Sequence, residues 1–391
     1  MTYLVKLGEL SLKGGNKAGF EKILARNLVA LLKGSGASIV SHDGRFYIHC
    51  EDYAVNHVEN ALSHLAGITG WAQARKCEKE INTVLAACVD EASLCFEQGA
   101  RSFKVESRRT DKSFPLRSYA LNCQAGDAIC KTFPSFKVDV HHPDVIIRVE
   151  IREKAFIYGY EKKGLRGLPV GSAGRGLLLL SGGIDSPVAG FLMTLRGMSL
   201  NAVYFHAYPY TSDEANRKVI KLAEILSPFS LGLKLFMLNF ADIERRIQEK
   251  APASWATVLL RMAMMEASSI LARRNKCKAL ITGESLSQVA SQTSENIYCA
   301  QSRASFPVFR PLIGTDKEDI TKKAIAIGTY ETSILPFQDC CALFSPQHPV
   351  LHASIPQARE LYESLDLAPL ISEAIKNKEV HKLFRRFEAS K

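Results

Sequence analysis

Residues 177–190, LLLLSGGIDSPVAG, combine residue types that hold phosphate groups in proteins. The four leucines run into a Ser-Gly-Gly turn, and a short apolar run bounded by glycine is typical of a strand buried on both faces of a parallel sheet. Gly182 and Gly183 are expected to allow positive φ and to let backbone N–H groups approach a ligand. Ser186 is predicted to cap a helix in whose first turn Pro187 lies. The pattern therefore predicts a phosphate-binding loop.

This loop is not of the Walker type, because the chain has no GxxxxGK(S/T) at this place and no lysine or threonine follows the glycines. SGGIDS, residues 181–186, instead resembles the pyrophosphate loop of the adenylating ATPases, which cleave ATP between the α and β phosphates. A plain strand-to-helix turn with a capping serine is the alternative that the local pattern leaves open.

The second half of the chain alternates strands and helices, which predicts a parallel sheet with its ligand site at the carboxyl ends of the strands. After the leucine run, the predicted strands are residues 200–206, 232–238 and 278–282. The predicted helices are residues 186–197, 212–226, 241–250 and 254–274. The residues after Pro346 are rich in helix formers, and a solvated basic helix is expected to carry Lys376, Lys378, Lys382, Arg385 and Arg386.

The first half predicts two smaller α+β domains. Residues 1–58 have the order β-α-β-β of a ferredoxin-like half, with strands at 3–7, 37–40 and 45–50 and a helix at 18–32. Residues 59–167 have predicted helices at 81–95 and 119–131, strands at 102–107, 137–140 and 144–151, and a hairpin through 153–154. The glycine-rich stretch 164–176 is typical of a connector, so the third domain is predicted to span residues 168–391.

Composition limits the class of protein and of partner. The 391 residues are 47% hydrophobic and 23% charged, which is ordinary for a globular protein. No apolar run approaches the ~20 residues that cross a membrane, and the N-terminus has no signal-peptide pattern. We therefore expect a cytoplasmic protein with no membrane partner. The formal net charge of +10 suits a polyanion.

Positive charge is concentrated in residues 101–118, where six basic side chains accompany two acidic ones. An exposed basic loop carrying an aromatic residue, here Phe114, is typical of a nucleic-acid contact, and a solvated charged face is the alternative. The candidate RNA-binding residues are Arg101, Lys104, Arg108, Arg109, Lys112 and Arg117.

The cysteines indicate one reactive position. None of the 10 forms C-x-x-C, so zinc ribbons have no support, and most are expected to be small buried residues. The adjacent pair Cys340-Cys341, in PFQDCCALFSP, is the exception, with two buried structural residues as the alternative. No metal-ligand cluster is predicted in the chain.

Three segments resemble the tRNA 4-thiouridine synthetases (tRNA sulfurtransferases): residues 3–21 (YLVKLGELSLKGGNKAGFE), 103–115 (FKVESRRTDKSFP) and 138–151 (VDVHHPDVIIRVEI). With SGGIDS, the resemblance covers nearly the whole chain. It implies a ferredoxin-like domain and a THUMP domain, which grips the tRNA acceptor end, before a pyrophosphate-loop ATPase domain. The family's members with a C-terminal rhodanese domain also pass sulfur toward the thiamine thiazole, a role left open here because that domain is not expected in this chain.

The resemblance also implies an ATP site and a reaction. The residues that match the family's nucleotide contacts are Leu179, Leu180, Ser181, Gly182, Gly183, Asp185, Ser186, Tyr204, Phe205, Arg261, Gly283 and Gln292. Asp185 is expected to organise Mg²⁺ or pyrophosphate, Lys317 to meet phosphate charge, and Cys341 of the family's D-x-C pattern to carry sulfur. Surface charge is the alternative for Arg261 and Lys317.

In the implied reaction, the C4 oxygen of a tRNA uridine, at position eight in this expectation, is adenylated and then replaced by persulfide sulfur, while ATP becomes AMP and pyrophosphate. A cysteine desulfurase is the expected sulfur donor, and a homodimer is compatible with a large RNA substrate. Two alternatives remain open: a related ligase that acts on another RNA position or on a small molecule, and a non-catalytic RNA-binding protein.

Overall fold

The computed structural model describes residues 1–8, 17–42, 44–337 and 346–383. The described chain divides into two compact units, residues 1–167 and residues 168–383. The first unit contains two five-stranded sheets and the second contains a six-stranded sheet.

The first sheet is antiparallel. Its strands are β1 (Thr2–Leu7), β2 (Ser38–His42), β3 (Arg45–His49), β4 (Ile68–Gln73) and β10 (Lys162–Lys163), in the order β10-β4-β1-β3-β2. Two helices accompany them, α1 (Lys17–Leu31) and α2 (Val55–Ser63). The predicted domain boundary after residue 58 falls inside α2, and β4, which follows that boundary, pairs with β1 of this first sheet. The correction has a simple cause: β1 is central and needs hydrogen-bond partners along both edges, whereas the sequence pattern supplied only β3.

The second sheet has the order β5-β9-β8-β6-β7. Its strands are β5 (Arg75–Cys77), β6 (Ser102–Arg109), β7 (Lys137–Val138), β8 (Val145–Ile151) and β9 (Ala155–Tyr158). Helices α3 (Ile81–Glu97) and α4 (Ser118–Thr132) pack on it through buried apolar side chains. The predicted hairpin is confirmed, because β8 and β9 pair antiparallel. The parallel pairing of β6 with β8 places α4 in the crossover between them.

The sheet of the second unit has the order β15-β14-β11-β12-β13-β16. Its strands are β11 (Arg175–Leu179), β12 (Ser199–His206), β13 (Leu233–Asn239), β14 (Ala279–Ile281), β15 (Val308–Phe309) and β16 (Glu379–Leu383). The first five are parallel, as the strand-helix alternation predicts, and β16 is antiparallel to β13. The carboxyl ends of β11, β12 and β14 therefore meet at one edge.

Nine α-helices of the second unit lie within the part of the chain that the structure describes. They are α5 (Asp185–Leu195), α6 (Asp213–Leu226), α7 (Ala241–Lys250), α8 (Ala256–Arg274), α9 (Ser294–Gln301), α10 (Lys317–Ala326), α11 (Tyr330–Ser333), α12 (Ile355–Ser364) and α13 (Ala368–Lys376). The span Ala253–Arg274 is long and apolar enough to cross a membrane by length and composition, but most of it is buried inside the protein. Twelve residues of α8 are buried, and its apolar side chains belong to the main hydrophobic cluster of this unit.

The predicted basic helix near the C-terminus is wrong for the residues that the structure describes. Lys376 ends α13, and residues 379–383 form β16, in which Lys382 pairs with Lys234 of β13. Helix propensity does not decide the structure here. Without β16, the backbone N–H and C=O groups along one edge of β13 would have no strand partner, and β16 supplies their hydrogen bonds. Arg385 and Arg386 lie outside the described residues.

Candidate active site

A cavity of about 720 Å³ opens at the carboxyl ends of β11, β12 and β14. Every residue that the sequence assigns to ATP lines it: Leu179, Leu180, Ser181, Gly182, Gly183, Asp185, Ser186, Tyr204, Phe205, Arg261, Gly283 and Gln292. The strands explain this convergence, since Leu179 ends β11, Phe205 lies one residue before the end of β12, and Gly283 follows β14 by two residues. The structure thus brings together residues that are more than 100 positions apart in the chain.

Serine hydroxyls hold the turn between β11 and α5. The Ser181 backbone N–H donates to Ser186 Oγ at 2.9 Å, and the Gly183 N–H donates to Ser181 Oγ at 3.3 Å. The prediction that Ser186 caps the helix is wrong: α5 begins at Asp185, its N-cap is Ile184, and no side chain caps it. The Ser186 hydroxyl is instead used to close the turn, which leaves the first N–H groups of α5 without a side-chain cap.

The structure requires glycine at position 283, whereas it shows no such requirement in the turn at Gly182 and Gly183. Gly182 and Gly183 do not adopt positive φ, so that expectation is wrong, because serine bonds close the turn without a left-handed residue. A Cβ on Gly283, by contrast, would lie 2.6 Å from the backbone nitrogen of Ser186. The segment after β14 therefore packs directly on the first turn of α5 and fixes that turn at the cavity.

Asp185 and Lys317, the two residues predicted to meet phosphate and metal, are in contact. Lys317 Nζ lies 2.5 Å from Asp185 Oδ1, and Gln288 Nε2 donates to Asp185 Oδ2 at 3.1 Å. Lys317 is the first residue of α10, and Gln288 lies on the loop after β14. Sequence reasoning missed Gln288, although it lies only four residues before Gln292, which was identified.

The side chains at this end of the cavity fit a magnesium ion held chiefly by substrate. The described residues contain no group of three or more His, Cys, Asp or Glu side chains that could bind a metal. Mg²⁺ is usually held by one or two carboxylates together with substrate phosphates, so a dedicated cluster is not needed. Asp185, at the N-terminus of α5, is the carboxylate that would bind Mg²⁺ in this cavity.

A buried cluster of charged side chains lies at a second part of the cavity wall. The sequence predicted its member Arg261 but not Glu284 or Arg310. Arg261 of α8 forms an ion pair with Glu284, and Arg310 Nε lies 2.6 Å from Glu284 Oε2. Burial lowers the pKa of Arg310 below its ordinary value. Glu284 follows the predicted Gly283 directly, so its position at a strand end was a signal that could have identified it. Arg310, just after β15, carried no such signal because β15 itself was not predicted.

Lys218 of α6 is another residue of the cavity that the sequence did not reveal. Its side chain is almost entirely buried, and Nζ donates to the carbonyls of Leu335 at 2.8 Å and Phe337 at 3.4 Å. Phe337 and Pro349 both line the cavity. The predicted sulfur carrier Cys341 and its neighbour Cys340 lie between them in the sequence, outside the described residues.

The predicted RNA-binding residues of the first unit differ in their contacts. Arg101 and Arg109 donate to backbone carbonyls, and Lys104 pairs with Glu106 at 2.7 Å. Within the described part of the chain, the remaining three make no ion pair and are exposed: Arg108, Lys112 and Arg117. Arg101 immediately precedes β6, Lys112 lies on the loop after it, and Arg117 is the N-cap of α4. The other three lie on β6.

The aromatic residue expected on this basic loop is not available for a ligand. Phe114 is 4% exposed and belongs to the hydrophobic cluster under α3 and α4, so that expectation is wrong. The loop is short, and the buried Phe114 and the partly buried Leu116 anchor it to this cluster. Tyr119, which the sequence did not single out, is 80% exposed and lies two residues beyond Arg117.

Comparison with known proteins places all three parts of the chain in one group. The family described as thiamine biosynthesis protein (ThiI) matches residues 171–367, the THUMP domain matches residues 78–158, and the ThiI ferredoxin-like domain matches residues 2–72. A probable tRNA sulfurtransferase of Treponema pallidum (strain Nichols) is 45% identical over 388 residues, which is 98% of this chain and 96% of the relative. One of Caldanaerobacter subterraneus subsp. tengcongensis is 43% identical, over 94% of this chain and 96% of the relative.

A solved structure gives the same assignment at the level of the fold. A crystal structure of a 4-thiouridine synthetase–RNA complex with bound ATP superposes with a TM-score of 0.90. Its sequence is 32% identical to this chain, and the match covers 98% of this chain and 99% of that one.

Proposed function

Since this chain belongs to the tRNA sulfurtransferase family, we propose that it uses ATP to exchange the C4 oxygen of a uridine in tRNA for sulfur, giving 4-thiouridine. The observation that carries the proposal is the convergence of the SGGIDS turn and Arg261 on one cavity of about 720 Å³, with Lys317 ion-paired to Asp185 of that turn. Cavities of about 300–1,000 Å³ are usual for ligands of this size.

The chemistry explains why ATP is needed. The C4 oxygen of a uracil ring is a poor leaving group. Its attack on the α-phosphorus of ATP forms an O–P bond and releases pyrophosphate, which leaves the base adenylated. The terminal sulfur of an enzyme persulfide then attacks C4, and AMP departs with the former base oxygen. A second thiol breaks the remaining S–S bond by attacking the sulfur of the carrier cysteine, which forms a disulfide and releases the thiolated base.

The cavity residues have separate tasks in this scheme. The backbone N–H groups of the turn and the uncapped N-terminus of α5 would bind the departing pyrophosphate. A helix terminus supplies only about 0.3–1 kcal/mol per nearby charge, so side-chain charge must add to it. Arg261 on the cavity wall and Lys317, which is paired with the cavity residue Asp185, provide that positive charge. When Mg²⁺ is bound, Asp185 would hold it, and the ion would neutralise phosphate charge.

Sulfur requires a thiol beside this cavity, and we assign it to Cys341. Phe337, on the cavity wall, precedes Cys341 by four residues, and four residues of chain span at most about 14 Å. A persulfide delivered by a cysteine desulfurase would therefore be carried on a segment tethered at the cavity. Uridine at position eight is the proposed target. Whether this protein also passes sulfur toward the thiamine thiazole is a separate question, which a thiazole synthesis assay would decide.

The test measures pyrophosphate release and tRNA thiolation separately. Wild-type protein is expected to release pyrophosphate from ATP only when tRNA is present. Cys341→Ser should retain this release and lose thiolation, whereas Cys340→Ser should retain both. Release without tRNA would favour a ligase with a small-molecule substrate, and tRNA binding with no release would favour a non-catalytic RNA-binding protein. Thiolation lost in Cys340→Ser alone would transfer the sulfur-carrying role to Cys340.

A further inference from the structure

We propose that Glu284 is the positioning residue of the nucleotide cavity, which holds the guanidinium of Arg261 in place to meet ATP. This inference rests on the function proposed above. The Glu284 side chain is only 5% exposed, yet the residue lines the cavity. It lies three residues beyond the end of β14, where the backbone of Gly283 is pressed against α5. A buried carboxylate in such a fixed place is costly unless it is paired and hydrogen-bonded.

Three side chains from three separate elements contact the Glu284 carboxylate. Arg261 of α8 contacts Oε1, and Arg310, which follows β15, donates from Nε to Oε2 at 2.6 Å. Thr282 Oγ1 also donates to Oε2, at 2.7 Å. Two guanidinium groups favour the ionised carboxylate. Because Oε1 is paired with Arg261 and Oε2 accepts two hydrogen bonds, we assign Glu284 a role that acts through Arg261 and not as a general base or metal ligand.

Arg261 is fixed on a second side by the loop that follows β14. Its Nη1 donates to the carbonyl of Ser291 at 2.5 Å, while Nη2 faces Glu284. The loop is itself closed by a bond from the Ser285 N–H to Gln292 Oε1 at 3.2 Å. The planar guanidinium is therefore held at two of its nitrogens, which restricts its rotation within the cavity wall.

The charge of the cluster also suits a polyanionic ligand. Arg261 and Glu284 of the cavity wall, together with Arg310 behind them, carry a net positive charge. Positive charge that is oriented before the ligand arrives needs little reorganisation during the reaction. Without the carboxylate, Arg261 and Arg310 would be two like charges sharing a largely buried site, and repulsion would turn Arg261 away from its position.

The experiment compares ATP binding by three variants of the full chain, measured by calorimetry in the presence of Mg²⁺. Glu284→Gln keeps the shape and removes the charge, and we expect its Kd for ATP to rise about tenfold or more. Glu284→Asp keeps the charge on a shorter side chain and should recover part of that loss. The matched control is Glu363→Gln, because Glu363 pairs with Arg303 at 3.2 Å in the same unit but is 69% exposed. Its Kd should match that of the wild type.

A melting temperature for each variant separates positioning from a purely structural role. Lower stability with unchanged ATP affinity well below the melting temperature would overturn the inference, as would Glu284→Gln with wild-type affinity. If Glu284→Gln does not fold, Glu284→Asp with wild-type affinity would overturn it equally. Wild-type protein that binds no ATP would overturn the proposed function together with the inference. Wild-type protein that binds ATP and does not thiolate tRNA would overturn the proposed function alone.

Discussion

Lys317 Nζ lies 2.5 Å from Asp185 Oδ1, although 132 residues separate them in the chain. The pair joins the first turn of α10 to the first turn of α5 at the cavity. The Lys317 side chain is 47% exposed, and ion pairs this accessible contribute at most about 1 kcal/mol. Lys317 can therefore leave the Asp185 carboxylate for a phosphate group with little loss of free energy. This suits a cation that contacts the phosphates once ATP has bound.

Removing either member of this pair should slow adenylation strongly. We expect Asp185→Ala and Lys317→Met each to lower tRNA-dependent pyrophosphate release by about 10²–10³, the usual effect of deleting one electrostatic contact to a transition state. The tRNA affinity should stay unchanged in both, measured by filter binding. Asp185→Ala protein that still adenylates tRNA at the wild-type rate would remove Asp185 from the mechanism.

Gly283 offers a steric test of the nucleotide cavity. Gly283→Ala would place Cβ 2.6 Å from the Ser186 nitrogen and must displace the first turn of α5, so we expect KM for ATP to rise at least about tenfold. Gly314→Ala is the matched control, because its Cβ would meet no atom within 4 Å in the described structure. Equal KM values for the two alanine variants would contradict the importance of this close approach.

The three exposed cations of the basic cluster should carry phosphate contacts. Log Kd for tRNA varies linearly with log salt concentration, and each lost phosphate contact lowers that slope by about 1. The triple change Arg108→Gln, Lys112→Gln and Arg117→Gln should therefore lower the slope by about 3. Arg245→Gln, which removes an exposed charge from the other unit, should leave it unaltered. A triple variant with the wild-type slope would move the RNA contact elsewhere.

Glu150 makes the stability of the first unit dependent on pH. Burial alone would raise its pKa, but Arg45 at 3.7 Å and Arg152 at 2.9 Å, with a hydrogen bond from Tyr158, hold that pKa below its ordinary value. The folded state thus favours ionised Glu150, and this contribution is present above about pH 4.5 and lost as the pH falls through the lowered pKa.

Chemical unfolding of Glu150→Gln at pH 7 should show a loss of about 3 kcal/mol, the scale for breaking a buried ion pair. The difference from wild type should shrink below about pH 4.5. Glu78→Gln is the control, since Glu78 pairs with Lys154 but is 64% exposed, and it should cost less than about 0.5 kcal/mol. If the difference in unfolding free energy between wild type and Glu150→Gln stayed constant at low pH, ionised Glu150 would not be the source of the pH dependence.

The sequence predicted the strands and site residues that local patterns specify. It missed the strand pairings and side-chain contacts that depend on residues far away in the chain. Apolar runs followed by glycine or polar residues located β11, β12 and β14, and therefore the cavity residues at their ends. The edge strand β16 and the pairing of β4 with β1 were missed, because each is decided by an open strand edge elsewhere in the chain. The role of Glu284 is not local either, since it comes in part from Arg310, 26 residues away.

The most direct measurement is mass spectrometry of nucleosides from tRNA incubated with the protein, ATP, Mg²⁺ and a persulfide source. We predict one uridine per tRNA converted to 4-thiouridine, with the conversion dependent on ATP and at least about 100-fold slower in Asp185→Ala. Mapping of the fragments should locate the sulfur at position eight. Unmodified tRNA under conditions in which the wild-type protein binds both ATP and tRNA would contradict the proposed sulfur transfer.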